Sequence, residues 1–416
     1  MKVFERLESE VRAYCRTWPV VFKSARNAVM FDEEGGRYVD FFAGAGVLNF
    51  GHNDPKMKEA LIAYLQSDGV SHSLDMSTTA KRRFLERFND VILGPRGMRY
   101  KMQFTGPTGT NAVEAALKLA RKITGRQRVV AFTDGFHGMT LGALALTGNG
   151  LHRAAAGVAL EHVIRVPFDG YLGRGVDTLE PLRRQLEDPS SGVLPPAAFV
   201  LETIQAEGGV NIARAEWLQS VQALAHQHGS LFIVDDIQVG CGRTGTYFSF
   251  EDLGIEPDVV CLAKGIGGYG LPMAMLLVKP EHDAWKPGEH TGTFRGQDLS
   301  FVAGTEALSY FEDTRFAESV KAKGARIRER LVRMLDAHGD RAIELRGRGM
   351  IYGIDTHSPD KAKAVSAAAF ERGLIIATCG PSGRVVKVMP PLTTEDAVLD
   401  EGLDLLAGAF ESAGGK

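Results

Sequence analysis

The sequence has few cysteines, and they form no recognisable framework. Four occur in 416 residues, at Cys15, Cys241, Cys261 and Cys379, and none stands in a CxxC pair. This spacing predicts no disulfide framework and indicates reduced thiols in a cytoplasmic protein. No HExxH motif or cysteine-rich cluster is present either, so no metal site is predicted.

Long hydrophobic runs and an excess of one charge are also missing. No run of about 18 apolar residues occurs, so no membrane span is predicted. The first residues, MKVFERLESEVRAYCR, are charged throughout and lack the apolar core of a signal peptide. Lysine and arginine number 48 against 51 aspartates and glutamates, a net charge of −3. This balance argues against nucleic acid or a membrane surface as the main partner.

Two apolar runs each end on a side chain that can take part in chemistry. Residues 231–234 form a short apolar run that is followed at once by Asp235 and Asp236. A second run at 259–263 ends on Lys264 and a group of glycines. Short apolar runs of this kind are typical of buried parallel strands. Open α/β sheets bind ligands beyond the carboxyl ends of such strands.

This arrangement favours pyridoxal phosphate as a cofactor. Burial would lower the pKa of Lys264 and make a neutral, nucleophilic amine easier to reach. Lys264 would then form a Schiff base with the aldehyde, and Asp235 would pair with the pyridinium nitrogen. The alternative is an ordinary one, in which the acids cap a helix and the lysine belongs to a charged loop.

Strands alternate with helical segments over residues 100–280, which predicts an α/β fold. Its mostly parallel central sheet should carry helices on both faces. Both ends of the chain predict a smaller α+β unit, with a meander of strands near the N-terminus. The expected boundaries are 1–50 for the N-terminal part of this unit, 51–298 for the large cofactor domain and 299–416 for the C-terminal part. An apolar stripe also predicts one helix over residues 1–17.

The stretch FTGPTGTNAVEAALKLARKITG at 104–125 opens from a glycine-rich turn onto a helix. Thr110 or Asn111 is the expected cap. Free N–H groups and the dipole of such a helix start can bind an anion, although an ordinary capped helix has the same pattern. The spacing matches neither a Walker A loop nor a Rossmann fingerprint.

Taken together, these motifs resemble the class III aminotransferases, which are pyridoxal-phosphate enzymes of fold type I. The resemblance covers nearly the whole chain, and the block from DDIQ at 235–238 to AKG at 263–265 is its most specific part. It implies that Asp235 pairs with the ring nitrogen and that Lys264 is the Schiff-base lysine. It also implies that Ile237 packs on the ring and that Gln238 contacts the phenolic oxygen.

The resemblance assigns the remaining cofactor contacts to three other stretches. TGTNA at 108–112 matches the phosphate turn, so Gly109 and Thr110 would hold the phosphate through backbone N–H groups. Phe136 would stack on the ring, with His137 following it. Thr293 would reach the phosphate of a neighbouring subunit, which implies an active site shared across a homodimer or a higher homo-oligomer.

Finer features resemble the subgroup that transfers the distal amine of L-2,4-diaminobutyrate, for ectoine among other products. They are GPTGTNAVEAA, DDIQVGCGRTG, GLP at 270–272, WKPGEHTGTFRG and VVKVMPPLT. Lys387 stands where the 4-aminobutyrate and ornithine enzymes carry a carboxylate-binding arginine, and Ala45 where the ornithine enzymes carry a tyrosine. Glu207 would mask Lys387 in one half-reaction. Arg295 would supply a second cation, or else an interface ion pair.

The expected substrates are small amino acids and oxo acids or aldehydes, and Trp18 completes the predicted substrate contacts. Several alternatives stay open. The chain could act on another ω-amino or diamino acid, as the ornithine and 4-aminobutyrate enzymes do. The same scaffold also serves racemases, aminomutases and decarboxylases. A non-catalytic cofactor-binding domain of a regulator is the alternative outside enzymology.

Overall fold

The computed structural model describes residues 2–173, 175–339 and 343–414 and is organised around a seven-stranded sheet. Only the strand Met275–Val278 runs antiparallel to its neighbours. The predicted α/β fold with a mostly parallel sheet is therefore confirmed. The strands lie across the sheet in the order Lys101–Phe104, Met275–Val278, Val259–Leu262, Leu231–Asp235, Ala198–Leu201, Val129–Phe132 and Val163–Val166.

The strands of this sheet are buried on both faces. In the central strand, Phe232 and Val234 join the apolar core around the helix Ala215–Gln227. The alternate residues, Leu231 and Ile233, join a second core around the helix Gly109–Thr124. Side chains of a strand point alternately to its two faces, so helices cover both sides of the sheet, as predicted. The other α-helices of five or more residues between residues 50 and 310 of the described chain are Pro55–Gln66, Thr79–Phe88, Leu141–Leu146, Gly150–Ala154, Glu180–Glu187 and Asp298–Ala307.

Both ends of the chain build the smaller α+β unit. The meander consists of Phe22–Arg26, Val29–Asp32 and Arg37–Asp40, and the C-terminal strand Leu374–Ile375 pairs in parallel with its last strand. The predicted boundaries at residues 50 and 298 stay a prediction. A second small sheet has the order Glu344–Arg348, Ile351–Asp355, Val385–Val388 and Ala377–Cys379, and its region carries the helices Arg315–His338, Pro359–Glu371 and Asp396–Gly414. Ile204–Gln205 and Asn211–Ile212 form a separate hairpin.

The prediction of one helix over residues 1–17 is wrong. The described part of this segment contains two short helices, Lys2–Leu7 and Tyr14–Thr17. Their apolar stripe is exposed, with Val11 at 87%, and short helices are marginal without a packed face. The helices Asp298–Ala307 and Arg315–His338 are separate, and Asp313 accepts the backbone N–H of Arg315 at the start of the second. No helix among the described residues is long and apolar enough to cross a membrane.

Candidate active site

Lys264 and Asp235 lie at the same edge of the central sheet. Their strands pair in parallel with Asp235 opposite Cys261, so Lys264 follows just beyond the strand end. Asp235 is buried, and Lys264 is partly buried at the start of a short 3₁₀ turn. The sequence therefore places a carboxylate and an amine together, as the strand-end argument predicts.

The Lys264 amine is held in an unusual state. Its φ is +54°, a left-handed conformation that costs a non-glycine residue about 1–2 kcal/mol. Burial, opposed by the attraction of Glu207, lowers the pKa of Lys264 to about 8. The amine makes no hydrogen bond or ion pair with the residues that the structure describes. An unpaired amine with a depressed pKa is suited to nucleophilic attack and proton transfer.

Asp235 is held by His137, which the resemblance places after Phe136 among the cofactor contacts. The His137 Nδ1 lies 2.8 Å from Asp235 Oδ2, and both side chains are buried. The backbone N–H of Ile237 donates to Asp235 Oδ1 over 3.2 Å. The imidazole therefore fixes the direction of the carboxylate. The position of His137 in a loop after a strand is the only sequence signal for this role.

The neighbouring acid, Asp236, faces away from this site. Its Oδ2 accepts the backbone N–H of Ser249 over 3.2 Å, while its Oδ1 is buried without a hydrogen-bond partner. Burial raises the pKa of Asp236 to about 7. Asp236 is therefore a poor candidate for a fixed negative charge at neutral pH.

Glu202 is a second buried acid at this edge of the sheet. It accepts the backbone N–H of Phe136 over 3.0 Å. Burial, and then the charge of Asp235, raise the pKa of Glu202 well above its usual range. Its hydrogen bond fixes the loop that carries Phe136, whose ring packs edge-on against His152 at 5.8 Å.

The glycine-rich turn before the helix Gly109–Thr124 leaves two backbone donors free. The helix cap is Thr108, so the expectation of a cap at Thr110 or Asn111 is wrong. Within the described chain, the N–H groups of Gly109 and Thr110 have no hydrogen-bond acceptor. These donors lie at the positive end of the helix dipole, where an anion is stabilised.

The Thr110 hydroxyl belongs to a chain of hydrogen bonds that points away from this turn. Thr140 donates its hydroxyl to Glu114 over 2.7 Å, so Thr110 must be the donor in its 2.6 Å contact with Thr140. The backbone N–H groups, rather than the hydroxyl, are thus the donors available to a phosphate. A Cβ added at Gly109 would lie 3.0 Å from Ile237 Cδ1, so the turn packs closely over that side chain.

A strained turn, Ala43–Gly46, covers Lys264 and Gln238. Its four residues all have positive φ, including Ala45 at +57°. Asp40 Oδ1 holds the start of the turn by accepting the N–H groups of Phe42 and Ala43, each over 2.8 Å. A Cβ added at Gly46 would lie 3.4 Å from Gln238 Cγ and 3.9 Å from Lys264 Cδ. Backbone strain of this kind persists only where surrounding contacts impose it.

Beside this turn, the partly exposed Glu207 forms an ion pair with the buried Lys387. Burial alone would raise the pKa of Glu207, but Lys387 and Lys264 outweigh it and lower the value to about 2. Burial opposes the charge of Lys387, but Glu207 raises its pKa above the ordinary lysine value. Both groups therefore stay charged at neutral pH. Glu207 therefore pairs, as expected, with Lys387, which stands where the 4-aminobutyrate and ornithine enzymes carry an arginine.

Trp18 and Arg295, the other two predicted substrate contacts, each contact residues outside the Glu207–Lys387 pair. Trp18 packs against Phe42 with ring centroids 5.1 Å apart, and its indole N–H is buried without a partner. Arg295 forms an ion pair with Asp75 of the same chain and donates to the His290 carbonyl over 3.0 Å. No contact joins Arg295 to Glu207 or Lys387 within the described residues.

Thr293 lies in an exposed loop close to the glycine-rich turn of its own chain. A Cβ added at the preceding Gly292 would lie 3.2 Å from the Gly106 nitrogen. Across residues 2–173, 175–339 and 343–414, no group of three histidine, cysteine, aspartate or glutamate side chains could hold a metal ion.

Comparisons with known proteins show the family of this chain. The family model described as aminotransferase class-III matches residues 12–410. A protein of Halalkalibacterium halodurans named diaminobutyrate–2-oxoglutarate transaminase is 53% identical over 412 residues, 99% of this chain and 96% of its own. One of the same name from Wolinella succinogenes is 54% identical over 410 residues, with 99% and 96% covered.

Solved structures with the same fold include the ornithine aminotransferase of Toxoplasma gondii. It has a TM-score of 0.85 and 26% identity, covers 99% of this chain and 94% of its own, and contains pyridoxal phosphate at partial occupancy. The S-selective transaminase of Bacillus megaterium has a TM-score of 0.86 at 23% identity, over 99% of this chain and 97% of its own, which shows the shared fold alone.

Proposed function

Because the chain belongs to the class III aminotransferases, we propose that it is a pyridoxal-phosphate-dependent diaminobutyrate–2-oxoglutarate transaminase. It would transfer the distal amine of L-2,4-diaminobutyrate to 2-oxoglutarate, so that diaminobutyrate and 2-oxoglutarate interconvert with aspartate 4-semialdehyde and glutamate. The observation that carries the chemistry is the unpaired Lys264 amine, placed beside the buried Asp235–His137 pair.

The residues of the site fit pyridoxal phosphate. The free N–H groups of Gly109 and Thr110 suit its phosphate, and the buried carboxylate of Asp235 suits its ring nitrogen. Gln238 Oε1 is buried without a hydrogen-bond partner, as expected of a group that awaits a ligand. When bound, pyridoxal phosphate supplies an aldehyde that accepts an amine and a ring that takes up carbanion charge.

Lys264 and Asp235 would have separate tasks in the reaction. The Lys264 amine is nucleophilic because its pKa of about 8 leaves a neutral fraction near physiological pH. Once displaced by substrate, the same nitrogen would take the proton from the carbon that bears the substrate amine. Asp235, directed by His137, would hold a proton on the ring nitrogen.

Glu207 and Lys387 would sort the two substrates. Diaminobutyrate reacts at its distal amine, whereas glutamate reacts at its α-amine, which brings its α-carboxylate closer to the reacting nitrogen. We assign Lys387 to that carboxylate. Glu207 would cover the cation while diaminobutyrate is bound and move off it for glutamate.

The experiment that tests this function is a single-substrate titration of the holoenzyme. Glutamate alone should convert the absorbance near 400 nm into a pyridoxamine spectrum, and diaminobutyrate alone should do the same. A racemase or decarboxylase would regenerate the starting spectrum with each turnover. Product analysis with aspartate 4-semialdehyde, succinate semialdehyde and glutamate semialdehyde then distinguishes diaminobutyrate from 4-aminobutyrate and ornithine as the amino-group donor.

We also propose that the enzyme is a cytoplasmic homodimer that supplies diaminobutyrate for ectoine formation. Apolar side chains stand exposed near the glycine-rich turn, with Phe294 at 61% and Met76, Met139 and Leu141 also exposed. Such a patch next to Thr293 suits a subunit interface with shared active sites. Sedimentation of the purified enzyme measures the oligomeric state.

Lys387→Met should impair glutamate more than diaminobutyrate. Loss of a charged contact to a substrate carboxylate costs about 2–4 kcal/mol, and we expect that loss in the glutamate half-reaction. Arg295→Met is the matched control, because the ion pair of Arg295 with Asp75 is worth under about 1 kcal/mol. Rapid mixing of each variant with each substrate gives the two half-reaction rates.

The ratio of the two rates is the informative quantity, since loss of folded enzyme lowers both equally. Equal effects of Lys387→Met on both substrates would exclude Lys387 as the glutamate carboxylate site. A selective glutamate loss in Arg295→Met would assign the contact to Arg295 instead.

A further inference from the structure

Two hydrogen-bond donors converge on one oxygen of Glu207. Oε1 of Glu207 accepts both the ammonium of Lys387 and the side-chain amide of Gln238, the latter over 3.0 Å. The Gln238 nitrogen also donates to the Ala45 carbonyl over 2.8 Å. Its two acceptors are a carboxylate and a carbonyl, neither of which can donate, so the amide nitrogen must face them.

The backbone fixes Gln238 in this orientation. Ala45 belongs to the left-handed turn Ala43–Gly46, which Asp40 holds through two backbone N–H groups. A Cβ added at Gly46 would lie 3.4 Å from Gln238 Cγ, so the turn passes close to this side chain. One N–H of the amide is committed to Ala45, and the other points at Glu207.

Glu207 is the exposed member of the pair that it forms with Lys387. Its side chain is 27% exposed, whereas that of Lys387 is 2% exposed. A substrate carboxylate therefore meets Glu207 first and reaches Lys387 only after Glu207 moves. At that moment two donors, the Lys387 ammonium and one Gln238 N–H, lose the same acceptor.

We infer that Gln238 and Lys387 together bind the α-carboxylate of glutamate, with one carboxylate oxygen in the place that Glu207 Oε1 occupies in this structure. This inference rests on the proposed function and names a specificity-determining residue for it. A lysine alone is a point charge without the planar fork of arginine. The amide of Gln238 adds the second, directional donor. Arg295 is bound to Asp75 and the His290 carbonyl and makes no contact with Glu207 or Lys387 within the described residues.

The test measures binding of glutarate, a five-carbon dicarboxylate without an amine, to the holoenzyme by calorimetry. Gln238→Met should weaken glutarate binding about tenfold or more, the range for a hydrogen bond to a charged group. Gln238→Glu keeps the shape, loses the donors and adds a negative charge that repels a dicarboxylate, so it should weaken glutarate binding at least as much. Gln103→Met is the matched control. Gln103 lies on the strand Lys101–Phe104 and accepts a hydrogen bond from the Trp285 indole N–H, so its replacement should change the affinity for glutarate by no more than about twofold.

The double variant Lys387→Met/Gln238→Met gives an independent readout. Because both donors would contact one carboxylate oxygen, the losses of binding free energy from the two single substitutions should not be additive. Losses at independent sites would be additive. In the half-reactions, Gln238→Met should reduce the rate with glutamate about tenfold more than the rate with diaminobutyrate. A changed contact with the cofactor would lower both rates by the same factor and leave their ratio unchanged.

Unchanged glutarate affinity in both Gln238 variants would overturn the inference, and so would additive losses in the double variant or equal losses for both substrates. If Gln238→Met does not retain the cofactor, Gln238→Glu decides the outcome by the same measurement. Failure of the proposed function is recognised separately, because wild-type enzyme would then show no spectral change with glutamate while glutarate binding could still be measured.

Discussion

Lys264→Ala is expected to reduce turnover by at least roughly a thousandfold in both half-reactions. The amine has no hydrogen bond or ion pair in the described structure, and its pKa of about 8 suits both the covalent link and proton transfer. Alanine supplies neither. The measurement is single-turnover kinetics of the reconstituted variant with glutamate and with diaminobutyrate.

An exposed lysine provides the control for this variant. Lys363→Ala, on the outer helix Pro359–Glu371, should keep wild-type rates. Added small primary amines should restore part of the Lys264→Ala rate, because they can replace the missing base. Turnover near that of the wild type in Lys264→Ala would contradict the assignment of the catalytic lysine.

Asp235→Asn should fold and lose activity by on the order of a hundredfold or more. The carboxylate is buried and directed by His137 at 2.8 Å, so its charge acts at short range in a site with little water. Asparagine keeps the shape without the charge, and a proton on the ring nitrogen would no longer be favoured. Half-reaction kinetics and cofactor affinity are the quantities to measure.

Asp236→Asn is the matched control for Asp235→Asn. Burial raises the pKa of Asp236 to about 7, so this group is only partly ionised at neutral pH, and its side chain faces Ser249. Its replacement should cost much less activity. Full activity in Asp235→Asn with unchanged cofactor affinity would exclude Asp235 as the partner of the ring nitrogen.

The positions of Asp235 and Lys264 can be read from the sequence because each ends a short apolar run. Parallel strands bring their carboxyl ends to one edge, so two such runs place their next residues together. The two buried faces of the central strand follow from the same pattern. These predictions depend only on local periodicity and on general rules for parallel sheets.

The contacts that orient the site cannot be read in this way. His137 is 98 positions from Asp235 in the chain, and Gln238 contacts Ala45 across 193 positions. No local pattern marks Ala45 for a positive φ, since alanine has no preference for that region. Asp40 holds the start of the turn locally, whereas the contacts of Gln238 and His137 join segments that are far apart in the chain. These contacts exist only after distant segments have packed.

The N-terminal helix prediction is wrong for a related reason. An apolar stripe in residues 1–17 predicts a buried face, but a stripe gives no information about what covers it. In the single chain Val11 stays exposed, and the helix is interrupted between Leu7 and Tyr14. Periodicity predicts which residues share a face, whereas helix length depends on the partner that packs against it.

The parallel pairing of Leu374–Ile375 with the strand Arg37–Asp40 has a consequence for biosynthesis. A ribosome releases the N-terminal strands long before their partner exists, and at roughly 5–20 residues per second the delay is on the order of tens of seconds. During that time the meander has an unpaired edge open to other nascent chains. Chains truncated before residue 374 should therefore aggregate or engage chaperones during translation, even though the segment that forms the seven-stranded sheet is already complete.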